Sequence, residues 1–255
     1  MRILMINPNT SAGMTEKMAA SARRALAPDV ELVPLTAEEG VPYIASRGEA
    51  QVAGTTTLDL IARHKAGMDA IVIGAYGDPG LIPARELFDV PITAMAEAAM
   101  LTACMLGPRF AIVTFSHALT AWYEDSVALS RLDSRCAGIL VPDVPFRSVE
   151  NVQHELEDEL VALACRAVHE NKADTVILAG APLTGLASRV ADRVPVPLVD
   201  PLDAAVGQAT LLARLNPRPA SAGRFARPGA KPARGVPPAL AAWIEHRPQV
   251  QSAHS

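Results

Sequence analysis

The sequence predicts an α/β fold of two pseudo-symmetric parallel-sheet lobes with the active site in the cleft between them. Three observations predict it. Short β-branched runs alternate with Ala-rich helical segments, the pattern of parallel βαβ units. The order of elements starts again at Arg109. The second pass also repeats the first in residue identity, at an offset that stays near 105 residues.

The first pass opens with a strand over Arg2–Ile6, a turn at Asn7-Pro8-Asn9-Thr10-Ser11 and a helix over about Ala12–Ala25. Val30–Leu35 reads as a strand and Glu49–His64 as a helix. Asp69–Gly74 carries Ala70-Ile71-Val72-Ile73, apolar without alternation, as in a strand covered on both faces. Asp78-Pro79-Gly80 opens a short helix through Leu87, and Val90–Thr93 is a strand. The second pass gives strands at Arg109–Thr114, Gly138–Val141, Asp174–Ala179 and Pro197–Val199. Its helices are Leu119–Ser130, Val149–Glu170 and Leu183–Arg193, and Asp203–Leu215 closes the compact body. In the repeat, Asp69-Ala-Ile-Val-Ile-Gly lies beside Asp174-Thr-Val-Ile-Leu-Ala, Gly80-Leu81 beside Gly185-Leu186, and Val90-Pro91-Ile92 beside Val196-Pro197-Leu198. A constant offset marks an internal duplication. Residues 1–100 with 203–215 are assigned to lobe 1, 101–202 to lobe 2, and 216–255 to a Pro/Arg-rich tail. Within that tail, Asn216–Pro238 reads as a mobile linker, Ala239–Glu245 as a short helix that docks back, and Gln249–Ser255 as frayed. A tail without a role and an active-site lid are both open.

A net charge of −4, mixed in sign, leaves no electrostatic footprint for nucleic acid or an anionic membrane. No apolar stretch reaches the length of a membrane span, and the opening run is too short for a secretory signal. Cys104, Cys136 and Cys165 have unrelated spacings and no CxxC pair, so they read as reduced, buried thiols. A cytoplasmic protein with a small-molecule substrate is expected. Ligands of open parallel sheets bind at the carboxyl ends of strands. The loops there are Asn7–Ser11, Gly74–Gly80, Phe115–Thr120 and Gly180–Gly185. Asn9 and Thr10 suit either a helix cap or substrate binding, and Asp78, before Pro79, suits either an N-cap or acid/base work. Tyr76 follows a buried strand and is expected at the cleft mouth. His117, beside Ser116 in a loop that Tyr123 and Glu124 approach, is the most suggestive single residue. His64, His154 and His169 sit on helices among charged neighbours, and Glu155–Glu159 is a solvated helix face. HxxxH spacing is absent, so no zinc site is expected.

The opening Met1-Arg-Ile-Leu-Met-Ile-Asn-Pro-Asn-Thr-Ser resembles that of hydantoin and allantoin racemases, in the aspartate/glutamate racemase superfamily. Gly77-Asp-Pro-Gly-Leu81, Glu97-Ala-Ala-Met100 and Val196-Pro-Leu-Val-Asp200 fit the same pattern, over roughly residues 1–215. The resemblance implies an Asp/Glu racemase-like fold, no metal or organic cofactor, and a homo-oligomer. It also implies two cysteines facing each other across the substrate, one removing and one delivering a proton. These positions fall at Ala75 and near Gly180, and neither residue moves protons. The expectation is therefore a cysteine-independent enzyme with isomerase or hydrolase/lyase chemistry on a hydantoin-like ring or related carboxylate. Tyr76, Asp78 and His117 are its candidate catalytic residues. Asn9, Thr10, Ala75, Ser116, Gly180 and Thr184 are the candidate binding residues. A non-catalytic binder and a racemase with displaced bases are the competing readings.

Overall fold

The computed structural model describes residues 1–247, so the segment Gln249–Ser255 expected to fray lies outside the described residues. Two four-stranded parallel sheets form the frame. The first comprises β1 (Arg2–Asn7), β2 (Glu31–Thr36), β3 (Ala70–Ile73) and β4 (Ile92–Ala94), in the order β2-β1-β3-β4. The second comprises β5 (Phe110–Val113), β6 (Cys136–Leu140), β7 (Thr175–Leu178) and β8 (Leu198–Val199), in the order β6-β5-β7-β8. The two orders are the same, as a duplication requires. The repeat extends to single hydrogen bonds. Arg2 N donates to Asp69 Oδ2 at 2.7 Å and Arg109 N to Asp174 Oδ2 at 2.9 Å. Gly74 N donates to Ile6 O at 2.7 Å and Ala179 N to Val113 O at 2.8 Å.

Helices cover the sheets and explain why the central strands are apolar on both sides. In β1, Ile3 and Met5 face a core shared by both lobes, whereas Leu4 and Ile6 face a second core on the far side of the first sheet. The helices α1 (Ala12–Ala25), α2 (Arg47–His64) and α3 (Leu81–Leu87) belong to the first pass. The helices α5 (Thr120–Leu129), α6 (Val152–His169) and α7 (Leu186–Val190) belong to the second. Ser11 and Ser46 cap α1 and α2 by accepting from Met14 N and Glu49 N. The single helix expected over Leu183–Arg193 is instead α7 flanked by 3-10 turns at Ala181–Leu183 and Ala191–Arg193. Gly185, left-handed at φ +84°, separates the first turn from α7.

Two helices cross between the lobes. α4 (Met95–Leu106) leaves the first sheet and packs against β5, β7 and β8 of the second. α8 (Pro201–Leu215) leaves the second sheet and packs against α1, β3 and β4 of the first. The pair also pack on each other along the pseudo-twofold. Thr93 Oγ1 donates to Ala205 O at 2.9 Å, and Gln208 Nε2 to Ala98 O at the same distance. The tail runs without regular structure to α9 (Pro238–Ile244), which lies on α2. There Leu240 joins the outer core and Trp243 meets Phe88 edge-on at 5.2 Å. Among the described residues, no helix is long and apolar enough to cross a membrane.

Candidate active site

The loops that follow β1, β3 and β7 converge between the sheets on one small cavity. Ala75 and Gly180 line it from pseudo-equivalent positions, with Asn9, Tyr43, Tyr76, Trp122 and Tyr123. All three tyrosines of this aromatic-poor chain stand there. The enclosed space is about 30 Å³, room for a water or two. A five-membered ring therefore requires the cleft to widen.

Asn9 is held by its neighbours. Its Oδ1 accepts from Asn7 Nδ2 and from Ser11 N, both at 2.9 Å. Asn7 Nδ2 also reaches Thr15 Oγ1, so the amide pair is locked to α1. This leaves Asn9 Nδ2 with no hydrogen bond among the described residues, fixed at the cavity wall as a donor. The turn after β3 closes through Asp78 N to Ala75 O, and its counterpart through Leu183 N to Gly180 O. The N–H groups of Tyr76, Gly77 and Ala181 have no acceptor among the described residues. Donors held this way suit a carbonyl or carboxylate oxygen.

The two walls differ. A Cβ built on Gly180, which has φ +119°, would lie 2.8 Å from Phe115 Cε1 and 3.5 Å from the Tyr123 hydroxyl. Phe115 thus fills the room a side chain at 180 would need. On the other wall Tyr76 packs on Tyr123 with ring centroids 4.5 Å apart, and its hydroxyl is buried without a partner. Burial pushes the Tyr43, Tyr76 and Tyr123 phenols up, which keeps them neutral. Neutral phenols can donate hydrogen bonds and do not act as bases. Glu150 stands exposed at the rim, its carboxyl held low by backbone and Ser148 hydrogen bonds.

Of the sequence-derived candidates, Asn9, Ala75, Tyr76 and Gly180 share this cavity. Thr10 lies outside the lining, with its N–H on Val41 O, and the α1 cap is Ser11 rather than Asn9 or Thr10. Asp78 does not cap the following helix, whose N-cap is Gly80. Its carboxylate reaches forward to Ala96 N and Glu97 N, 2.7 Å each, and caps α4. Asp78 sits at φ +55°, a strained conformation worth on the order of 1 kcal/mol. Ser116 and His117 line a separate open depression with Phe146 and Asp143. His117 Nε2 meets Asp143 Oδ1 at 3.0 Å with both side chains well exposed, a pair of the kind worth about 0–1 kcal/mol. Thr184 is buried away from the cavity lining, its O accepting from Gln153 Nε2 at 2.8 Å. Tyr43, Trp122 and Tyr123 carry no strand-end signal, because the first sits between β2 and α2 and the others on α5. Their rarity in the composition is the one clue that picks them out. The cysteines are only partly buried, none lines the cavity, and Cys136 begins β6 instead of preceding it. Among the described residues, no group of three or more His, Cys, Asp or Glu side chains is placed to hold a metal.

Comparison with known proteins agrees with this architecture. Residues 3–209 match the sequence model of the family described as Asp/Glu/Hydantoin racemase. A hydantoin racemase of Paenarthrobacter aurescens is 29% identical over 233 residues, covering 91% of this chain and 99% of the relative. One from Pseudomonas sp. (strain NS671) is 30% identical over 207 residues, covering 81% and 83%. The structure of allantoin racemase from Klebsiella pneumoniae superposes with a TM-score of 0.85 at 31% identity, covering 92% of this chain and 96% of that one.

Proposed function

Because the chain belongs to the Asp/Glu/hydantoin racemase family, we propose that it is an enzyme acting on a small hydantoin-like ring, or a related carboxylate, without a pair of thiols. The observation that carries this reading is that Ala75 and Gly180 face one small cavity from pseudo-equivalent loops, beside the fixed Asn9 amide. The family resemblance gives those two positions to proton-carrying cysteines. Here they offer a methyl group and a hydrogen. Asn9 Nδ2 and the N–H groups of Tyr76 and Ala181 would hold the ring carbonyl oxygens and stabilise an enolate. The Tyr123 hydroxyl, beside Gly180, is the proton donor placed nearest the vacated position. Acid/base isomerisation through an enol fits these donors, with the ring C–H proton passing to Glu150 at the rim, the one carboxylate of the lining, and returning from there or from Tyr123. Attack by a water admitted beside Ala75 is the hydrolytic form of the same reading.

A second reading, a non-catalytic binder, is favoured by one observation. Apart from Glu150 at the rim, the lining holds no carboxylate or imidazole to act as base. Incubation with 5-substituted hydantoins, thiohydantoins and allantoin in deuterated buffer, followed by NMR, separates these cases. Exchange of the ring C–H above the uncatalysed rate, lost about a hundredfold in Asn9→Ala, supports isomerase chemistry. Exchange with inversion at the stereocentre identifies a racemase with displaced bases. Ring opening without exchange identifies the hydrolase. Saturable binding with neither overturns the enzyme reading in favour of the binder.

A further inference from the structure

Each cleft loop is tied to a helix that crosses between the lobes, and in both cases a single carboxylate makes the tie. In the first lobe the N-cap of α4 is Ala94, which has no capping side chain. The cap comes from Asp78, 18 residues upstream, whose Oδ1 and Oδ2 accept from Ala96 N and Glu97 N. In the second lobe Asp200 caps its own helix, α8, with Oδ1 on Leu202 N at 2.9 Å. Its Oδ2 then accepts from Gly185 N at 2.6 Å, 15 residues upstream. The carboxylate has moved from the loop to the helix, yet the same joint is made. A joint kept in both halves by non-equivalent residues is more than a local cap.

The joint also has a direction. α4 lies against the second sheet and α8 against the first. Each tie therefore keys a loop of one lobe to a helix seated on the other. The loop fixed by Asp78 carries Ala75 and Tyr76, and that fixed by Asp200 carries Gly180 and Ala181. We infer that Asp78 and Asp200 are a matched pair of positioning residues that set the two walls of the cavity relative to each other. The consequence for turnover rests on the enzyme reading above; the positioning itself does not.

The test uses the full chain with Trp243→Phe, so that Trp122 alone reports. The Trp122 ring presses on Gly77, where a Cβ would come within 2.3 Å of it, and its emission follows the Asp78 loop. Asp78→Asn is expected to keep its circular dichroism, shift Trp122 emission, and lower kcat for hydantoin C–H exchange at least tenfold with KM within threefold. Asp200→Asn is expected to lower kcat likewise and to speed amide hydrogen exchange at residues 180–185. Asp78→Glu keeps the charge but not the reach, and should stay as slow as the asparagine variant; it carries the test if Asp78→Asn fails to fold. Variants that melt earlier with unchanged kcat, Trp122 emission and local exchange would reduce both carboxylates to helix caps and overturn the inference. If the parent protein neither exchanges nor opens a hydantoin, the enzyme reading falls. Emission and amide exchange then decide the positioning alone, and unchanged values overturn it.

Discussion

At Gly180 a hydrogen is the only side chain that fits. The would-be Cβ collides with Phe115, and the backbone is in the region that disfavours L side chains. Gly180→Cys should therefore cost about 3 kcal/mol, read from denaturant midpoints, whereas Ala75→Cys, which borders the small cavity, should cost about 1 kcal/mol or less. Equal costs would mean that Phe115 gives way freely. The buried carboxylates make a second prediction. Burial pushes Asp78 up to about 7 and Asp203 up to about 6, the latter with help from Asp200, against an ordinary 3.8. Folding then takes up protons, so this stability is complete below about pH 4 and is lost as pH rises through 6 and 7. The slope reaches about 1.4 kcal/mol per pH unit for each proton. Asp78→Asn should flatten the curve near pH 7, and an unchanged curve would place its titration elsewhere. Residue-level reading of the sequence could place residues where a strand end fixes a position, and Asn9, Ala75 and Gly180 do line one cavity. It could not supply side-chain direction. Ser116 and His117 follow β5 as expected, yet the 3-10 turn beginning at His117 sends the imidazole outward to Asp143.

Among the elements, strands and long helices were legible because their burial pattern is local. The helix expected over Ala12–Ala25 is α1 to the residue, and the apolar run at 70–73 is β3. Short elements were less so. The Leu183–Arg193 segment breaks at a glycine whose left-handed φ answers to a tertiary joint, and no propensity encodes that. Asp78-Pro79 reads as a helix start from sequence because Asp and Pro favour one, yet the carboxylate serves a helix that begins at Met95. α9 has the clearest consequence at this scale. It covers Phe88 and α2 on the outer face of the first sheet, while the cleft lies on the other side of the strands. Lys65 Nζ and the Arg227 guanidinium sit over the Trp243 ring at 4.6 and 4.7 Å and add to its docking. Truncation after Val236 should cost about 2–4 kcal/mol in thermal or denaturant unfolding and change turnover less than twofold. A large loss of turnover at full stability would restore the lid.

For the molecule as a whole, the sequence reading finds the duplication and assigns 203–215 to lobe 1, but it divides α4 between the lobes at residue 100 and does not read its seat on the second sheet. Nothing in the residues of α4 states which sheet it will cover. The structure answers with one core, running from Ile3 and Met5 through α4 and the second sheet to Ala209. Arg47 adds a bond from the start of α2 to Asp125 and to Ala121 O on α5, the latter at 2.8 Å. A shared core predicts a single calorimetric transition whose van't Hoff and calorimetric enthalpies agree. Two resolved transitions would show lobes that unfold independently.

The crossing of α4 and α8 bears on how such a chain could arise and how it could be cut. Each half surrenders its terminal helix to the other, the arrangement of a domain-swapped dimer whose copies have been joined end to end. The join falls at Gly107-Pro108, between α4 and β5. A gene split there should yield two polypeptides, 1–107 and 108–255, that are unfolded apart and assemble into a 1:1 complex when co-expressed, measurable by co-purification and circular dichroism. Fragments that fold alone would mean that the helices were never exchanged property, only neighbours.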